Sequence, residues 1–486
     1  MKTFLVVCAI VLSGCAAGPD FHTPAAPDTQ RYTQDALPEH TATSNGPAGA
    51  AQRFATALRP IPMWWREFGS DALNRLVDEG LRHNPTLGEA RARLREAREN
   101  YTALSGTTQF PNIDAPFSGA RQKVDPAAFG IPHVETPGPF SLFNASVSVS
   151  YVFDIFGGNR RALESAMAQA AYASYELEAG RLSIAGNIVA TVVRRASLQQ
   201  QIALTRRLAD AQAHQLSIME ARLAAGGVSQ LDVRGQRTLF AQTRASLPPL
   251  ATQLAAADHE LAILLGRAPS QADFDELTFD ALHLPLEIPV TLPSTLARTR
   301  PDIMAAEALL HQASANVGVA TANLYPQFTL SAGMGSERTR IGDIVNGLNV
   351  WNIGLNLTQP LLHGGELHAK KRAAEAAYEG AFDNYRHVVL QALQQVADAL
   401  TALQNDAREL QARADAAEEA QASLDIASHQ YAAGGISQFA LLDAERQCLQ
   451  SSIDRTRAQA NRFADTAALF QALGSGMTQT RADSTP

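Results

Sequence analysis

The heptapeptide AAGGVSQ at Ala224–Gln230 occurs again, almost unchanged, as AAGGISQ at Ala432–Gln438, 208 positions further along a chain of 486 residues. Three other pairs keep the same order at similar offsets: Asn84-Pro85 with Arg300-Pro301, Phe110-Pro111 with Tyr325-Pro326, and Gly157-Gly158 with Gly364-Gly365. An internal repeat defines the unit that folds. The sequence therefore predicts two pseudo-equivalent halves, residues 63–270 and 292–474, joined by a proline-containing connection at 271–291.

Each half contains one very long helix. In the second half, helical composition continues from Gly365 to about Ala433, which corresponds to roughly 100 Å of helix. Apolar residues recur there in alternate steps of four and three, which predicts a coiled-coil seam. They are Val389, Leu393, Val396, Leu400, Leu403, Ala407, Leu410, Ala414, Ala417, Leu424 and Tyr431, and only Gln421 and Ser428 break the pattern. The first half has a helix of the same length from Gly158 to about Ala224, and both helices end at a Gly-Gly pair that permits a left-handed cap and a sharp reversal.

Four short segments alternate between apolar and polar residues, which predicts strands at 113–123, 143–153, 328–337 and 350–358. Each is about ten residues long, the length that a tilted strand needs to cross a bilayer. One alternative is a soluble sandwich with one face in water. We prefer the membrane because the polar faces carry Asn, Ser, Thr and Gly rather than the Lys and Glu that are common on wet sheets.

Strand number then predicts an assembly. The smallest membrane barrels need eight strands, and an open sheet edge in lipid would leave backbone groups unpaired. A barrel must therefore be shared between chains. Two chains would supply eight strands and three would supply twelve, and the strand count does not choose between them.

The amino terminus predicts a lipid anchor. Lys2 precedes the apolar run Phe4–Leu12, which is typical of a signal peptide, and Leu12-Ser13-Gly14-Cys15 resembles a lipobox. We expect cleavage after residue 14, a diacylglycerol on the thiol of Cys15 and an acyl chain on its amino group; the alternative is an ordinary signal peptide with an incidental cysteine. Residues 15–62 are expected to form a lipidated, extended linker, and residues 475–486 a disordered tail.

Composition excludes several function classes. A net charge of −8 gives no basic patch for nucleic acid. The chain has no HExxH, P-loop or GxSxG motif and no cysteine or histidine pairs with metal spacing, so we expect neither an enzyme nor a cofactor other than the acyl chains. Of the three cysteines, only Cys448 lies outside the signal region and the lipobox, and we expect it to be a packing residue.

Several motifs resemble those of one family, the TolC-like outer-membrane factors of efflux systems, and in particular its NodT-type lipoproteins. They are Cys15–Pro24, Trp64–Phe68, Asp154–Arg160, Leu292–Leu296, Arg300–Ile303 and Tyr325-Pro326. The resemblance covers nearly the whole mature chain. It implies a mainly α protein and a homotrimer, in which a twelve-stranded transmembrane β-barrel is continuous with a periplasmic coiled-coil tunnel of twelve helices.

The resemblance also implies a passive outer-membrane duct that exports small toxic compounds with a periplasmic adaptor protein and an inner-membrane transporter. The adaptor would contact the hairpin tips at Gly226, Gly227, Gly434 and Gly435. By motif, Phe439 would be an apolar constriction, Asp443 an acidic ring, and Tyr431 and Arg446 locks between helices. An alternative for Asp443 and Arg446 is an ordinary surface pair on one helix. Alternatives for the whole protein are the duct of a type I protein-secretion system and a non-conducting structural periplasmic lipoprotein.

Overall fold

Helices dominate the computed structural model, which describes residues 16–56, 61–125, 130, 138–274 and 278–474. A 3-10 turn at Trp64–Phe68 precedes the first α-helix. The α-helices are α1 (Asp71–His83), α2 (Pro85–Gln109), α3 (Gly158–Ala224), α4 (Gln230–Leu264), α5 (Pro293–Thr299), α6 (Pro301–Ala322), α7 (Glu366–Ala432) and α8 (Gln438–Ala472). The two very long helices, α3 and α7, each contain 67 residues, as the repeat predicts.

The chain divides into two compact units. The first contains the described parts of Met1–Thr23, Arg93–Ala173 and Ala306–Tyr385, and the second contains those of Pro24–Ala92, Ser174–Ala305 and Arg386–Pro486. Both units draw on both sequence repeats. The units of packing are therefore different from the units of repetition.

Within the described residues the strands are β1 (Arg53–Thr56), β2 (Asn112–Asp114), β3 (Phe117–Gln122), β4 (Phe140–Phe153), β5 (Glu287–Val290), β6 (Gln327–Arg338) and β7 (Val350–Thr358). The first unit holds an antiparallel sheet in which β2 and β3 both pair with β4, β4 pairs with β6, and β6 pairs with β7. The segment predicted as one strand at 113–123 is two strands. Pro116 lies between them, and its backbone has no N–H to donate to a ladder.

The sheet has two chemically different faces, because directly paired residues of antiparallel strands project to the same side. Register places Val149 beside Ala332 and Ala332 beside Ile353, and the same face pairs Tyr151 with Leu330 and Leu330 with Leu355. The opposite face pairs Ser148 with Gly333 and Gly333 with Asn352. The alternation predicted from the sequence is confirmed for β4, β6 and β7.

The coiled-coil seam of α7 is confirmed over most of its length. Eight of its predicted members are buried within the single chain: Val389, Val396, Leu400, Leu403, Ala407, Leu410, Ala414 and Ala417. Leu424 and Tyr431, nearer the end of the helix, are half-buried. The returning helix α4 continues through Pro248 and Pro249 without a break, although proline usually interrupts a helix. Two missing N–H donors remove only two bonds from a helix whose buried face packs on both sides of them.

Residues 24–56, which belong to the segment expected to be an extended linker, are packed onto the body of the second unit. β1 pairs in parallel with β5. Arg462 of α8 is fully buried and donates to the carbonyl oxygens of Ala48 and Ala50, at 2.6 and 2.7 Å. Composition suggested a tether, but backbone carbonyls that satisfy a buried guanidinium fix this segment in place.

The predicted signal peptide at 1–14, the lipidation residue Cys15 and the predicted tail at 475–486 lie outside the described residues. Among the residues that are described, no helix has a stretch long and apolar enough to cross a bilayer.

Candidate functional site: the turns of the helical hairpins

Both long helices end in the same turn. The Gly434 N–H donates to the Tyr431 carbonyl at 3.0 Å and the Gly435 N–H to the Gln430 carbonyl at 2.8 Å. Gly226 and Gly227 make the equivalent two bonds to Leu223 and Arg222, at the same distances. This is a Schellman motif, and the φ angles of +77° at Gly434 and +76° at Gly226 are those of a left-handed cap. The predicted cap and reversal are therefore confirmed in both hairpins.

A serine starts each returning helix directly after the turn. Ser229 Oγ accepts from the Asp232 N–H at 3.2 Å, and Asp232 Oδ2 accepts from the Ser229 N–H at 3.1 Å, which forms a capping box. The Ser229 hydroxyl also donates to Asp232 Oδ2 at 2.7 Å, and this bond, together with the one from the Ser229 N–H, holds the pKa of the Asp232 carboxyl below its ordinary value. Ser437 caps α8 through the Ala440 N–H at 3.3 Å. Both turns are thus bonded on either side of the reversal, which gives each hairpin a defined tip.

Three of the four predicted gate residues share one face of α8. Phe439, Asp443 and Arg446 are spaced by four and three residues, so they follow one another along the helix surface. Phe439 is 79% exposed in the single chain, and the Asp443 and Arg446 side chains are 40% and 64% exposed. This face is open to a partner, a bore or solvent, as a constriction requires.

Asp443 and Arg446 form an ion pair within one helix. Arg446 Nη2 donates to Asp443 Oδ1 at 2.7 Å, and Gln447 Nε2 donates to Asp443 Oδ2 at 2.6 Å. The bond from Arg446 is the main reason that the pKa of the Asp443 carboxyl lies below its ordinary value. Tyr431 is half-buried near the end of α7, and its hydroxyl makes no hydrogen bond to a described residue. The structure of one chain thus joins Asp443 with Arg446 but does not join either of them with Tyr431.

The opposite face of α8 is buried. Gln438, Leu441, Glu445 and Cys448 lie along it at helical spacing, and all four are less than a tenth exposed. The Cys448 thiol donates to Gln421 Oε1 at 3.3 Å, and burial raises the pKa of that thiol. Cys448 is therefore the packing residue that its isolation in the sequence predicts, and α8 presents one face to the body and one outward.

Sequence reasoning missed two residues near these tips. Leu231 stands 208 positions before Phe439 and has the same exposure of 79%. The internal repeat could have predicted Leu231, because it occupies the position in the first repeat that Phe439 occupies in the second. Glu445 is the other, and no sequence signal separates this buried carboxyl from an ordinary surface acid.

The residues described at the hairpin tips are suited to binding a cation or a protein partner rather than to covalent chemistry. A ring of carboxylates from several copies of α8 would attract cations. Apolar tips would pack against a partner. Within the described residues no three His, Cys, Asp or Glu side chains are grouped to hold a metal ion.

A sheet with one apolar exposed face, joined in sequence to paired helical hairpins with capped tips, defines an outer-membrane channel class of protein. The chain belongs to the outer membrane efflux protein family, whose model matches residues 76–267 and 292–475. It is 30% identical over 418 residues to the pyoverdine export outer membrane protein OpmQ of Pseudomonas aeruginosa, covering 86% of this chain and 88% of the relative.

Two further proteins are similar over almost their full length. The toluene efflux pump outer membrane protein TtgI of Pseudomonas putida is 27% identical, covering 98% of both chains. The solved structure of the outer-membrane channel OprN superposes with a TM-score of 0.83 at 28% identity, covering 95% of this chain and 99% of that one. The chain is thus an outer-membrane efflux protein with the fold of known outer-membrane channels.

Proposed function

We propose that this protein is the passive exit duct of a tripartite efflux system. Three chains would form a twelve-stranded barrel in the outer membrane and a periplasmic tunnel of twelve helices. A periplasmic adaptor protein and an inner-membrane transporter would deliver small toxic compounds to it. The observation that carries this proposal is the apolar face of the antiparallel sheet, which is exposed along a whole strand.

That face has the chemistry of a lipid contact. Trp351, Ile353, Leu355 and Leu357 of β7 are all more than half exposed in the single chain. A soluble protein would cover such a row, whereas lipid needs no cover. The opposite face of the same strand carries Asn352, Gly354, Asn356 and Thr358, which suit a water-filled bore.

The sheet also has open edges. Among the described residues, β7 pairs only with β6, and β2 and β3 pair only with β4. Unpaired backbone groups cannot lie in hydrocarbon, so neighbouring chains would complete the ladder. Three chains of four strand positions each would give the twelve strands that the family resemblance implies.

The names of the relatives support small molecules as cargo. OpmQ exports pyoverdine and TtgI belongs to a toluene efflux pump. We infer that this chain exports low-molecular-weight compounds as they do, with selection made upstream, since nothing in its own hairpins is built to recognise one ligand.

A lipid anchor at Cys15 fits the first described residues. The Ala17 N–H donates to the Phe156 carbonyl at 2.8 Å, and Arg161 Nη2 donates to Asp20 Oδ1 at 2.6 Å. These contacts hold the chain beside the residues that follow β4. Acyl chains on Cys15 would therefore enter the membrane near the ends of the strands.

The hairpin tips would form both the gate and the adaptor contact. Asp443 would contribute one carboxylate per chain to a cation-attracting ring, with Phe439 as the apolar constriction. Tyr431 and Arg446 would hold the closed state by bonds to helices of the assembled trimer. Gly226, Gly227, Gly434 and Gly435, with the exposed Leu231, would meet the adaptor.

The test combines conductance with export. The purified protein should run as a trimer and conduct ions in planar bilayers. Deleting its gene should sensitise cells to small toxic compounds, and restoring it should reverse the effect. Lost secretion of a protein with unchanged resistance would assign the duct to protein secretion instead. A folded trimer without conductance in any condition would favour a structural lipoprotein.

A further inference from the structure

The buried face of α8 holds a carboxyl group that the proposed gate does not use. Glu445 is 9% exposed, and burial raises the pKa of its carboxyl, while Gln212 of α3 lowers it by a smaller amount. Glu445 Oε2 has no hydrogen-bond partner among the described residues, and neither do the Oε1 and Nε2 atoms of Gln212. Buried polar atoms are almost always paired, so three orphaned atoms on two adjacent side chains require an explanation.

A proton on the Glu445 carboxyl would give these unpaired atoms hydrogen-bond partners. A neutral carboxylic acid has one O–H donor and one carbonyl acceptor, and a primary amide has a matching acceptor and donor. The acid can donate to Gln212 Oε1 and accept from Gln212 Nε2. An ionised carboxylate can only accept, and it would leave Gln212 Oε1 unpaired in a buried place.

We propose that Glu445 is a proton-dependent latch of the periplasmic gate: its neutral carboxyl pairs with Gln212 and joins the two helical hairpins of one subunit, and its ionisation releases them. This inference rests on the proposed function, because it needs a gate at the tips. Glu445 acts on that gate as a positioning residue. It lies two residues from Asp443 on the same helix, so its release would move the face that carries the acidic ring.

The neighbouring contacts extend the latch across three helices. Gln236 of α4 donates from Nε2 to the backbone carbonyl oxygen of Gln212 at 3.1 Å. Gln438 donates from Nε2 to Gln236 Oε1 at 3.3 Å. All three glutamines are buried. Amides do not titrate, so Glu445 is the member of this cluster whose bonding changes with pH.

The charged groups nearby are engaged elsewhere. On α3 and α4, Glu220 pairs with Arg237 and Asp232 bonds to Ser229. On α7, Asp425 accepts from Gln421, and on α8 Asp443 pairs with Arg446. Burial raises the pKa of the Glu445 carboxyl, and Gln212 opposes that shift. His214 of α3 and His429 of α7 are exposed, and substitutions at these two residues serve as controls.

The sign of the pH effect follows from the raised pKa. The closed gate binds a proton on Glu445 that the open, hydrated gate releases, so the closed state is favoured at low pH. It loses stability as pH rises above the ordinary carboxyl range. Open probability should therefore increase with pH, by at most about tenfold per pH unit for each proton released.

The experiment measures open probability of the purified trimer in planar bilayers from about pH 5 to about pH 8. Wild type should open increasingly as pH rises. Glu445→Gln keeps an uncharged amide in the same volume and should stay closed with a flat response. Replacing both partners, Glu445→Leu with Gln212→Leu, should also close the gate without pH dependence, since an apolar pair can substitute for a buried polar one. His214→Asn and His429→Asn should retain the wild-type response.

The outcomes separate this inference from the proposed function. A folded trimer that conducts in neither wild type nor any variant contradicts the duct, and with it the latch. A conducting channel whose pH response survives in Glu445→Gln, or in the double leucine variant if the glutamine variant fails to assemble, overturns the latch alone. Loss of the response in either histidine variant would also overturn it. As an independent readout, infrared difference spectra should show a protonated carboxyl in wild type that Glu445→Gln lacks.

Discussion

Leu330 of β6 lies directly opposite Leu355 of β7, and the next pair of the same ladder places Thr329 opposite Asn356. Adjacent residues of one strand thus belong to opposite faces, one apolar and one polar. Leu355 is exposed in the single chain although no water-facing role suits it. Substitutions at the neighbouring residues Leu355 and Asn356 can therefore test the surroundings of each face separately.

Leu355→Arg should impair assembly, because a cation that faces the bilayer midplane costs about 2–4 kcal/mol. Asn356→Arg, one position along, should be tolerated because it would face the water-filled bore. The amount of heat-modifiable trimer in outer-membrane fractions measures both. Equal tolerance of the two substitutions would contradict the membrane assignment of this sheet.

The lipid anchor gives a second prediction. Cys15→Ala should abolish incorporation of labelled fatty acid, because the thiol that accepts the diacylglycerol is gone. A Cys448→Ala variant serves as the control and should label like wild type, since that thiol is buried. If the unaltered protein incorporates no fatty acid, Cys15 is not a lipidation site.

Arg462 should prove essential for docking the segment that precedes the first helix. Arg462→Leu would leave the carbonyl oxygens of Ala48 and Ala50 unpaired, at about 1–3 kcal/mol for each buried group. We expect a lower melting temperature and proteolytic cleavage near these residues. Burial already lowers the pKa of Arg462 to about 10, so Arg462→Lys should lose more charge stabilisation than a surface exchange would. The exposed Arg457→Lys is the control, and similar proteolysis of both lysine variants would argue against this role.

Much of the architecture could be predicted because the sequence contains an internal repeat and regular spacings of apolar residues. The period of two in β7 separates an apolar face from a polar face, and the 3.5-residue seam of α7 follows its buried face. The docking of residues 24–56 could not be predicted, because it depends on backbone carbonyls that meet Arg462 from more than 400 positions away. The break at Pro116 could have been predicted from its missing N–H.

The residues of the candidate site also differ in whether the sequence could predict them. The glycines at the tips follow from local sequence, whereas Phe439 and Asp443 were predicted only from the resemblance of their motif to the family. Glu445 could not be predicted, since its burial depends on helices that are distant from it in sequence. Contacts between distant helices decide which acid is exposed and which is enclosed.

The hairpin caps should depend on one glycine of each pair. Gly434 has φ of +77°, and a methyl group added there would meet no other atom, so Gly434→Ala should cost only the backbone strain, about 1–2 kcal/mol. Gly434→Asn should cost less because asparagine tolerates this conformation. Gly435→Ala is the control, since Gly435 has no positive φ. Hydrogen exchange at the tip measures the effect, and equal protection in all three variants would contradict the cap as a source of local stability.

The gate prediction separates a duct from a spacer. Asp443→Ala combined with Tyr431→Phe removes the acidic ring and one proposed lock while leaving the sheet untouched. The closed state should lose contacts with neighbouring helices, so single-channel conductance in planar bilayers should rise and large antibiotics should enter cells that lack the pump. Asp443→Ala alone should also weaken cation selectivity, because each chain loses one charge from the narrowest ring.

The first hairpin offers a matched control for this experiment. Glu220 of α3 and Arg237 of α4 form an exposed pair there, whereas Asp443 and Arg446 pair within α8. Glu220→Ala also removes one exposed carboxylate and its ion pair, which is worth about 0–1 kcal/mol. It should change neither conductance nor selectivity. If the Asp443 variants behave like Glu220→Ala in a correctly assembled trimer, Asp443 and Arg446 are an ordinary surface pair, and the constriction must be sought at other residues of the tips.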